Sequence, residues 1–380
     1  MRPPLEGYTV VTMEHAVACP YATRQLADLG ARVIKIERPD GGDFARAYDT
    51  HVNGLATYFV WLNRGKESVA LDVKQPAALA ALHRLIDHAD VFVQNLAPGA
   101  AARLGLSATE LRSRNPRLIV CDIDGYGPDG PYSDKRAYDM LIQCEAGLAS
   151  VTGTADAPAK AGVAVADLTA GTFAFNGILT ALLARERTGE GASLSVAMLD
   201  TVAEWMTFSA LYSRYSGQPQ VAAGLRHPSL VPYDAYPCRG GARIVIGIQN
   251  DREWQRLCAA LGMAEAAADA RFATNEGRAA HRTDVDAVLD AALADQDVDD
   301  VAIRLEAAGI ANARLRNSLE LLDHPQLAAR NRWRDTPTPV GPVPVLAPPV
   351  TFDGYDPDFK PIPELGEHTT AVLAEFGIEL

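Results

Sequence analysis

Hydrophobic positions in the first third of the chain switch repeatedly between two periods. Runs with strand character (YTVVTM from Tyr8, ARVIKIERP from Ala31, ESVALDV from Glu67, DVFVQNL from Asp90 and RLIVCDI from Arg117) are separated by runs with helical spacing, PYATRQLADLG and QPAALAALHRLIDHA among them. Ser107-x-x-Glu110 has the capping-box pattern and opens a further helix. Strands alternating with helices predict an α/β fold: a mostly parallel, doubly wound sheet of Rossmann-like character.

The stretch GVAVADLTAGTFAFNGILTALLARERTGEG, residues 162–191, sets one carboxylate, Asp167, between a small-residue, strand-like run and a helix. From Leu168 the apolar residues recur at helical spacing, and the run ends at Thr188-Gly189 after Arg185 and Arg187 in the last turn. Asp167 then stands at the helix N-terminus. Its ordinary role there is an N-cap that accepts unpaired backbone N–H groups. The same donors and the helix dipole would lower its pKa and keep it ionised, and an ionised carboxylate in a closed site can attack an activated acyl group.

Beyond this helix the pattern predicts a strand, ASLSVAML, and one apolar helix, LDTVAEWMTFSALYSRY. Residues 216–237 are turn-rich; a strand ARIVIGI and Ala-rich helices from Asp251 to about Ala329 follow. We divide the chain accordingly: 1–215 is the first part of a large domain, 216–330 is a smaller α/β domain, and 331–380 is an extended strap and helix returning to the large domain. The stretch from Arg334 to Pro363 holds nine of the chain's 24 prolines and cannot be helical. HTTAVLAEF closes the chain as an amphipathic helix.

Composition narrows the function. A chain of 380 residues, 48% hydrophobic and 22% charged, carries enough apolar residues for two cores. A net charge of −13 spread along the length argues against a nucleic-acid or membrane partner, since phosphate binding needs clustered positive charge. The five cysteines are widely spaced without a C-x-x-C pair, which suits a reducing, cytoplasmic setting rather than a disulfide framework or zinc site. MRPPLEGYTVV lacks the layout of a signal peptide, and Asp167 and Asn176 interrupt the longest apolar run, so no membrane span is expected.

Several chemistries fall away on motifs. There is no G-x-S-x-G elbow, no H-E-x-x-H and no Walker loop. GYGPDG at 125–130 formally matches G-x-G-x-x-G, but Pro128 and Pro131 make it a turn rather than a helix start, so a nicotinamide dinucleotide is not expected. What remains is a set of polar residues at the C-terminal ends of the strands, where open α/β sheets place ligands: His15, Arg38, Lys74, Asn95, Arg103 and Arg136. Each alone is an ordinary solvated group. Together they could hold a phosphorylated ligand such as a nucleotide.

Five segments, CPYATRQLADLGARVIKIERPDGGDFAR, LNRGKESVALDVK, VFVQNLAPGAAARLGL, GYGPDGPYSDKRAYD and the Asp167 stretch, follow in an order and at spacings that resemble the family III CoA-transferases. That group includes formyl-CoA:oxalate transferase, carnitine CoA-transferase and, with altered chemistry, α-methylacyl-CoA racemase. The resemblance is close over residues 5 to about 215 and looser beyond. It implies that Asp167 is a nucleophile. It also puts CoA-binding positions at His15, Ala16, Val17, Ala18, Arg38, Leu71, Lys74, Asn95, Leu96, Ala100 and Arg103, with Arg136 near the phosphates and Tyr138 beside the acyl group. Asp124 stands where formyl-CoA transferase has a basic residue. The implied reactants are an acyl-CoA and a carboxylic acid acceptor, with no tightly bound cofactor and no metal; the implied assembly is an interlocked homodimer.

In this reading Gly162, Ala164, Ala166, Ala170 and Gly171 either let a thioester approach or serve close packing, and Gly224, His227 and Pro228 form a candidate lid. Two alternatives stay open. A racemase would need a histidine base where this chain has Tyr138, and a phenol with a pKa near ~10 is a poor base at neutral pH. A non-catalytic acyl-CoA-binding protein is the other.

Overall fold

Six strands form one parallel sheet in the computed structural model, which describes residues 1–379. They are β1 (Thr9–Met13), β2 (Arg32–Glu37), β3 (Lys66–Ala70), β4 (Val91–Gln94), β5 (Ile119–Asp124) and β6 (Ser193–Ala197), in the spatial order β3-β2-β1-β4-β5-β6. The two-residue period splits each strand between two cores. Val10, Val33, Val91 and Ile119 pack on one face, and Val11, Ile34, Phe92 and Val120 on the other. The strand order reverses at β1, between β2 and β4, so the C-terminal ends of β1 and β4 border the crevice that such sheets offer a ligand.

Helix Ala18–Asp28 and the long helix Val165–Thr188 share the first core, and they lie so close that a side chain at Gly171 would sit 2.5 Å from the Ala18 carbonyl oxygen. Gly171 is required by that approach. One face of Val165–Thr188 is used in packing, with Ala166, Ala170, Ala174 and Ile178 fully buried, while Phe173 and Leu183 on the rest of the helix are exposed. The other face is covered by Pro76–Asp87, Ala108–Arg114 and Thr369–Glu375. That last helix is tied to β3: Ser68 carbonyl accepts from the His368 N–H at 2.9 Å, and the Ala70 N–H donates to Thr369 Oγ1 at 2.9 Å.

By internal packing the described residues divide into one unit of Met1–Ser150, Lys160–Gln220 and Leu327 onward and another of Val151–Ala159 and Val221–Gln326. In the first unit the Pro-rich segment is not featureless. Trp333–Thr336 pairs antiparallel with Val343–Leu346, and the chain then runs extended, with the Pro361 carbonyl accepting from the Gly65 N–H and Ile362 buried against Phe59 and Val60. The second unit has its own core under a three-stranded antiparallel sheet, Tyr233–Pro237, Arg243–Gly247 and Ala311–Arg314. The periodicity reading found only the middle strand, because Tyr233–Pro237 lies inside a Pro-rich, turn-like stretch and Ala311–Arg314 (ANAR) carries no β-branched residue.

Other expectations need correction too. The run before Asp167 is not a strand: residues 161–164 are irregular, with bends at Gly162 and Val163, and the helix begins at Val165. The helix expected after β6 is two, Met198–Trp205 and Thr207–Ser216, parted at Met206. At Ser107 half of the capping box forms: Ser107 Oγ accepts from the Glu110 N–H at 3.3 Å, while the Glu110 carboxylate takes the Ser107 hydroxyl at 2.5 Å.

Candidate active site

Asp167 is the third residue of its helix, not the cap. The cap position, Ala164, offers no side chain to the exposed N–H groups. One of those groups is satisfied from another helix: Asp139 Oδ1 accepts from the Ala166 N–H at 2.8 Å. Asp139 opens helix Asp139–Glu145 and is held in turn by Gln143, one turn on, whose Nε2 donates to Asp139 Oδ2 at 2.7 Å. The carbonyl oxygen of the same Gln143 amide accepts from the Ala161 N–H at 2.8 Å. Asp139 and Gln143 therefore fix both ends of the 161–166 turn that presents Asp167.

This arrangement reverses the expected electrostatics. No hydrogen-bond donor among the described residues reaches the Asp167 carboxylate. Burial among packed groups disfavours its charge, the Asp139 carboxylate adds like-charge repulsion, and its pKa is raised to about 7. The half-buried group keeps solvent access on one side. The small residues around it divide by role. Ala166, Ala170 and Gly171 are consumed by helix packing, whereas a side chain at Gly162 would meet nothing within 4 Å, and Ala164 is partly exposed. Open space lies on the Gly162 side.

Tyr138, 69% exposed, immediately precedes Asp139. Tyr48 belongs to the same neighbourhood: burial, then Asp43, Asp167 and Tyr138, push its phenol pKa up. Tyr48, Asp139 and Gln143 were missed by sequence reading. The only signal for the last two was a pair of polar residues one helical turn apart, directly after KRAY.

The loop after β1 is built with more constraint. Asn95, just beyond β4, clamps the His15 backbone from both sides: Oδ1 accepts the His15 N–H at 2.9 Å and Nδ2 donates to the His15 carbonyl at 2.9 Å. The His15 ring stacks on Phe44 with centroids 4.5 Å apart, and the Arg38 guanidinium lies 5.7 Å from the Phe44 ring centre. His15 Nδ1 is buried without a hydrogen-bond partner, and burial lowers the ring's pKa, so it is neutral at pH 7. Ala16 follows with φ 61°, and Val17 and Ala18 lead into helix Ala18–Asp28.

Since the sheet is parallel, His15, Arg38, Lys74 and Asn95, which follow β1, β2, β3 and β4, share one edge. Arg38, Lys74 and Arg103 are exposed there; Leu96 and Ala100 are partly exposed, and Leu71 is buried in the second core. Arg136 is exposed in the loop after β5. Asp124 turns inward, accepting from the Gly127 N–H at 2.6 Å, so GYGPDG is a turn and no helix follows it. Gly224, His227 and Pro228 belong to the second unit, where the His227 ring stacks on Tyr233 at 5.4 Å and its Nδ1 accepts from the Ser229 and Leu230 N–H groups.

A sequence model of "CoA-transferase family III" matches residues 5–369. The chain belongs to this family. It is 35% identical to a succinate–glutarate CoA-transferase of Agrobacterium fabrum, over 98% of this chain and 96% of that one. It is 36% identical to an acetyl-CoA:oxalate CoA-transferase of Acetobacter aceti, again over 98% and 96%. Among solved structures, a CaiB/BaiF family protein from Brucella suis superposes with a TM-score of 0.91 at 33% identity, covering 99% of this chain and 100% of that one. The protein is thus a CoA-transferase that uses CoA thioesters as substrates.

Proposed function

We propose that this transferase moves CoA from an acyl-CoA donor to a small dicarboxylic or hydroxycarboxylic acid through an aspartyl-CoA thioester on Asp167. The observation that carries the reading is the carboxylate itself: its turn is capped by Asp139, no donor among the described residues reaches Asp167, and it is half-open to solvent. A carboxylate held this way is desolvated and basic, which favours nucleophilic attack once it is ionised.

The steps balance without an outside reagent. An Asp167 oxygen attacks the donor thioester carbonyl, the C–S bond breaks, and CoA leaves as a thiolate from an acyl-aspartyl anhydride. The thiolate attacks the aspartyl carbonyl and releases the donor acid. The acceptor carboxylate then attacks the aspartyl thioester, expelling the thiolate, which takes the acceptor acyl group from the second anhydride and returns Asp167 as a carboxylate. The number of thioesters is unchanged, so no ATP is consumed.

In this reading CoA lies along the β1–β4 edge, with His15, Ala16, Val17, Ala18, Leu71, Asn95, Leu96 and Ala100 against it and Arg38, Lys74, Arg103 and Arg136 near its phosphates. Both curated relatives carry a dicarboxylate in their names, which supports that class of acceptor. Incubation with succinyl-CoA or acetyl-CoA and a panel of mono-, di- and hydroxycarboxylic acids, with CoA esters followed by mass spectrometry, tests the assignment. Exchange confined to monocarboxylates would overturn the acceptor class. Proton exchange at the α-carbon of a 2-methylacyl-CoA without any transfer would overturn the reaction. Arg38→Ala and Arg103→Ala are expected to raise the KM for the CoA ester by about tenfold and leave kcat within about threefold, because a remote phosphate contact is made equally in ground and transition states.

The resemblance to a linked pair of chains is also part of the reading. Trp205, Phe208, Leu211, Tyr212 and Tyr215 project from the two helices after β6 with 49–82% of their surface exposed, more apolar area than one short segment ordinarily leaves in water. A second copy of the chain is the proposed cover, and sedimentation at nanomolar concentration, where a linked dimer stays intact, checks it.

A further inference from the structure

The geometry points to Asp43 as a positioning residue: it holds Ala16 in the left-handed conformation that shapes the loop after β1. The role rests on the CoA site proposed above, since it is that loop, His15 to Ala18, that CoA would contact. Ala16 has a φ of 61°, a region that an alanine enters only at a cost because its Cβ crowds the backbone. Such a conformation persists where the surroundings over-determine it.

Two side chains do so here. Asn95 grips the backbone of His15, as described, and Asp43 Oδ1 accepts from the Ala16 N–H at 3.0 Å. Asp43 is fully buried and cannot drift, because Lys35 Nζ, also fully buried, donates to its other oxygen at 2.6 Å. Lys35 is fixed in turn by the Asn63 side-chain oxygen at 3.0 Å and lies 3.4 Å from Glu14. Glu14 sits one residue before His15 and receives Lys66 Nζ at 2.6 Å and the Thr23 hydroxyl at 2.6 Å. The loop thus rests on a buried, fully paired set of charges with no way to relax singly.

A plainer role exists for Asp43. The same Oδ1 accepts from the Ala45 N–H at 2.9 Å and caps the short helix Phe44–Ala47. Cap and ion pair would make Asp43 important for stability alone. The two roles separate at residue 16, because glycine enters the left-handed region freely and needs no clamp.

The test uses the full-length protein, with CoA itself as the probe in titration calorimetry. Asp43→Ala is expected to weaken CoA binding about tenfold, and adding Ala16→Gly to recover at least about threefold of that loss, as relief of a strained left-handed alanine would. Thermal unfolding reports the stability role separately: both variants melt below wild type because buried Lys35 loses the nearer of its two carboxylates. If Asp43→Ala does not fold, the same pair is read in a Lys35→Met background, which removes the buried charge. Equal CoA affinity in wild type and Asp43→Ala, or a loss that Ala16→Gly does not repair, overturns the positioning role. A wild type that binds no CoA overturns instead the site on which the role rests.

Discussion

Asp167→Asn is expected to abolish CoA transfer, by at least about a thousandfold, while leaving the fold intact; in the proposed mechanism Asp167 forms the covalent intermediate, and such a group has no partial substitute. Incubated with an acyl-CoA and no acceptor, wild type should accumulate a CoA adduct on the peptide that contains Asp167, cleaved by hydroxylamine, and the variant should show none. The structure makes the comparison cleaner than a cap residue would. Because Asp139, not Asp167, satisfies the Ala166 N–H, the substitution breaks no hydrogen bond. It also relieves a burden. The Asp167 pKa rises from an ordinary 3.8 to about 7 on folding, so the native state binds the extra proton between about pH 4 and pH 7. Stability therefore falls as pH rises through that window, and the cost is fully present above pH 7. The variant lacks it. Its melting temperature at pH 8 should match or exceed that of wild type, and its advantage should shrink towards pH 4. Wild-type rates in the variant would remove Asp167 from the mechanism.

The parallel sheet was legible because most of its strands are short runs rich in Val and Ile set between segments of helical spacing. Lys66–Ala70 and Ser193–Ala197 are more polar, and Ser193–Ala197 is only partly buried. The second unit hid two of its three strands, since ANAR at Ala311–Arg314 is held by pairing with Arg243–Gly247 rather than by its own propensity. The site divides in the same way. Asp167 was visible as a lone carboxylate at the start of an apolar helix, and His15 and Asn95 as polar residues after strands. Their states were not. That Asp167 is uncapped depends on Asp139 reaching from a helix that begins 28 residues earlier in the chain, a contact that no local spacing encodes. The pKa direction inverted accordingly: a cap would have stabilised the charge, whereas burial disfavours it and the Asp139 carboxylate adds to that. Lys35 inside β2, Glu14 just after β1 and Asp43 at the cap of Phe44–Ala47 were hidden differently, as charged residues of a kind that ordinarily faces water but here are wholly buried as partners.

If Asp167 attacks as a carboxylate, kcat/KM for the CoA ester should climb about tenfold per pH unit below pH 7 and level off above it, since that ratio reports the ionisation of the free enzyme. Among the described residues, Asp139, on the helix that caps its turn, and the Tyr48 phenol are set against Asp167. Asp139 is the like charge that opposes ionisation of Asp167, and Asp139→Asn removes that charge. The asparagine carbonyl can still accept the Ala166 N–H and keep the turn capped; its amide gives up the bond from Gln143 Nε2, and the like charge that helps raise the Asp167 pKa is gone. The acid limb should move to lower pH, by less than the full displacement, because burial, the larger cause, is untouched. Asp139→Ala loses both contributions and should lower the pH-independent plateau as well, through disorder of the 161–166 turn. Any limb that arises from titration of the CoA phosphate is common to all three proteins and cannot produce a difference between them. An acid limb at the same pH in wild type and Asp139→Asn would show that the titrating group is not Asp167, and a rate flat from pH 5.5 to 8.5 would show that no carboxylate with a raised pKa takes part.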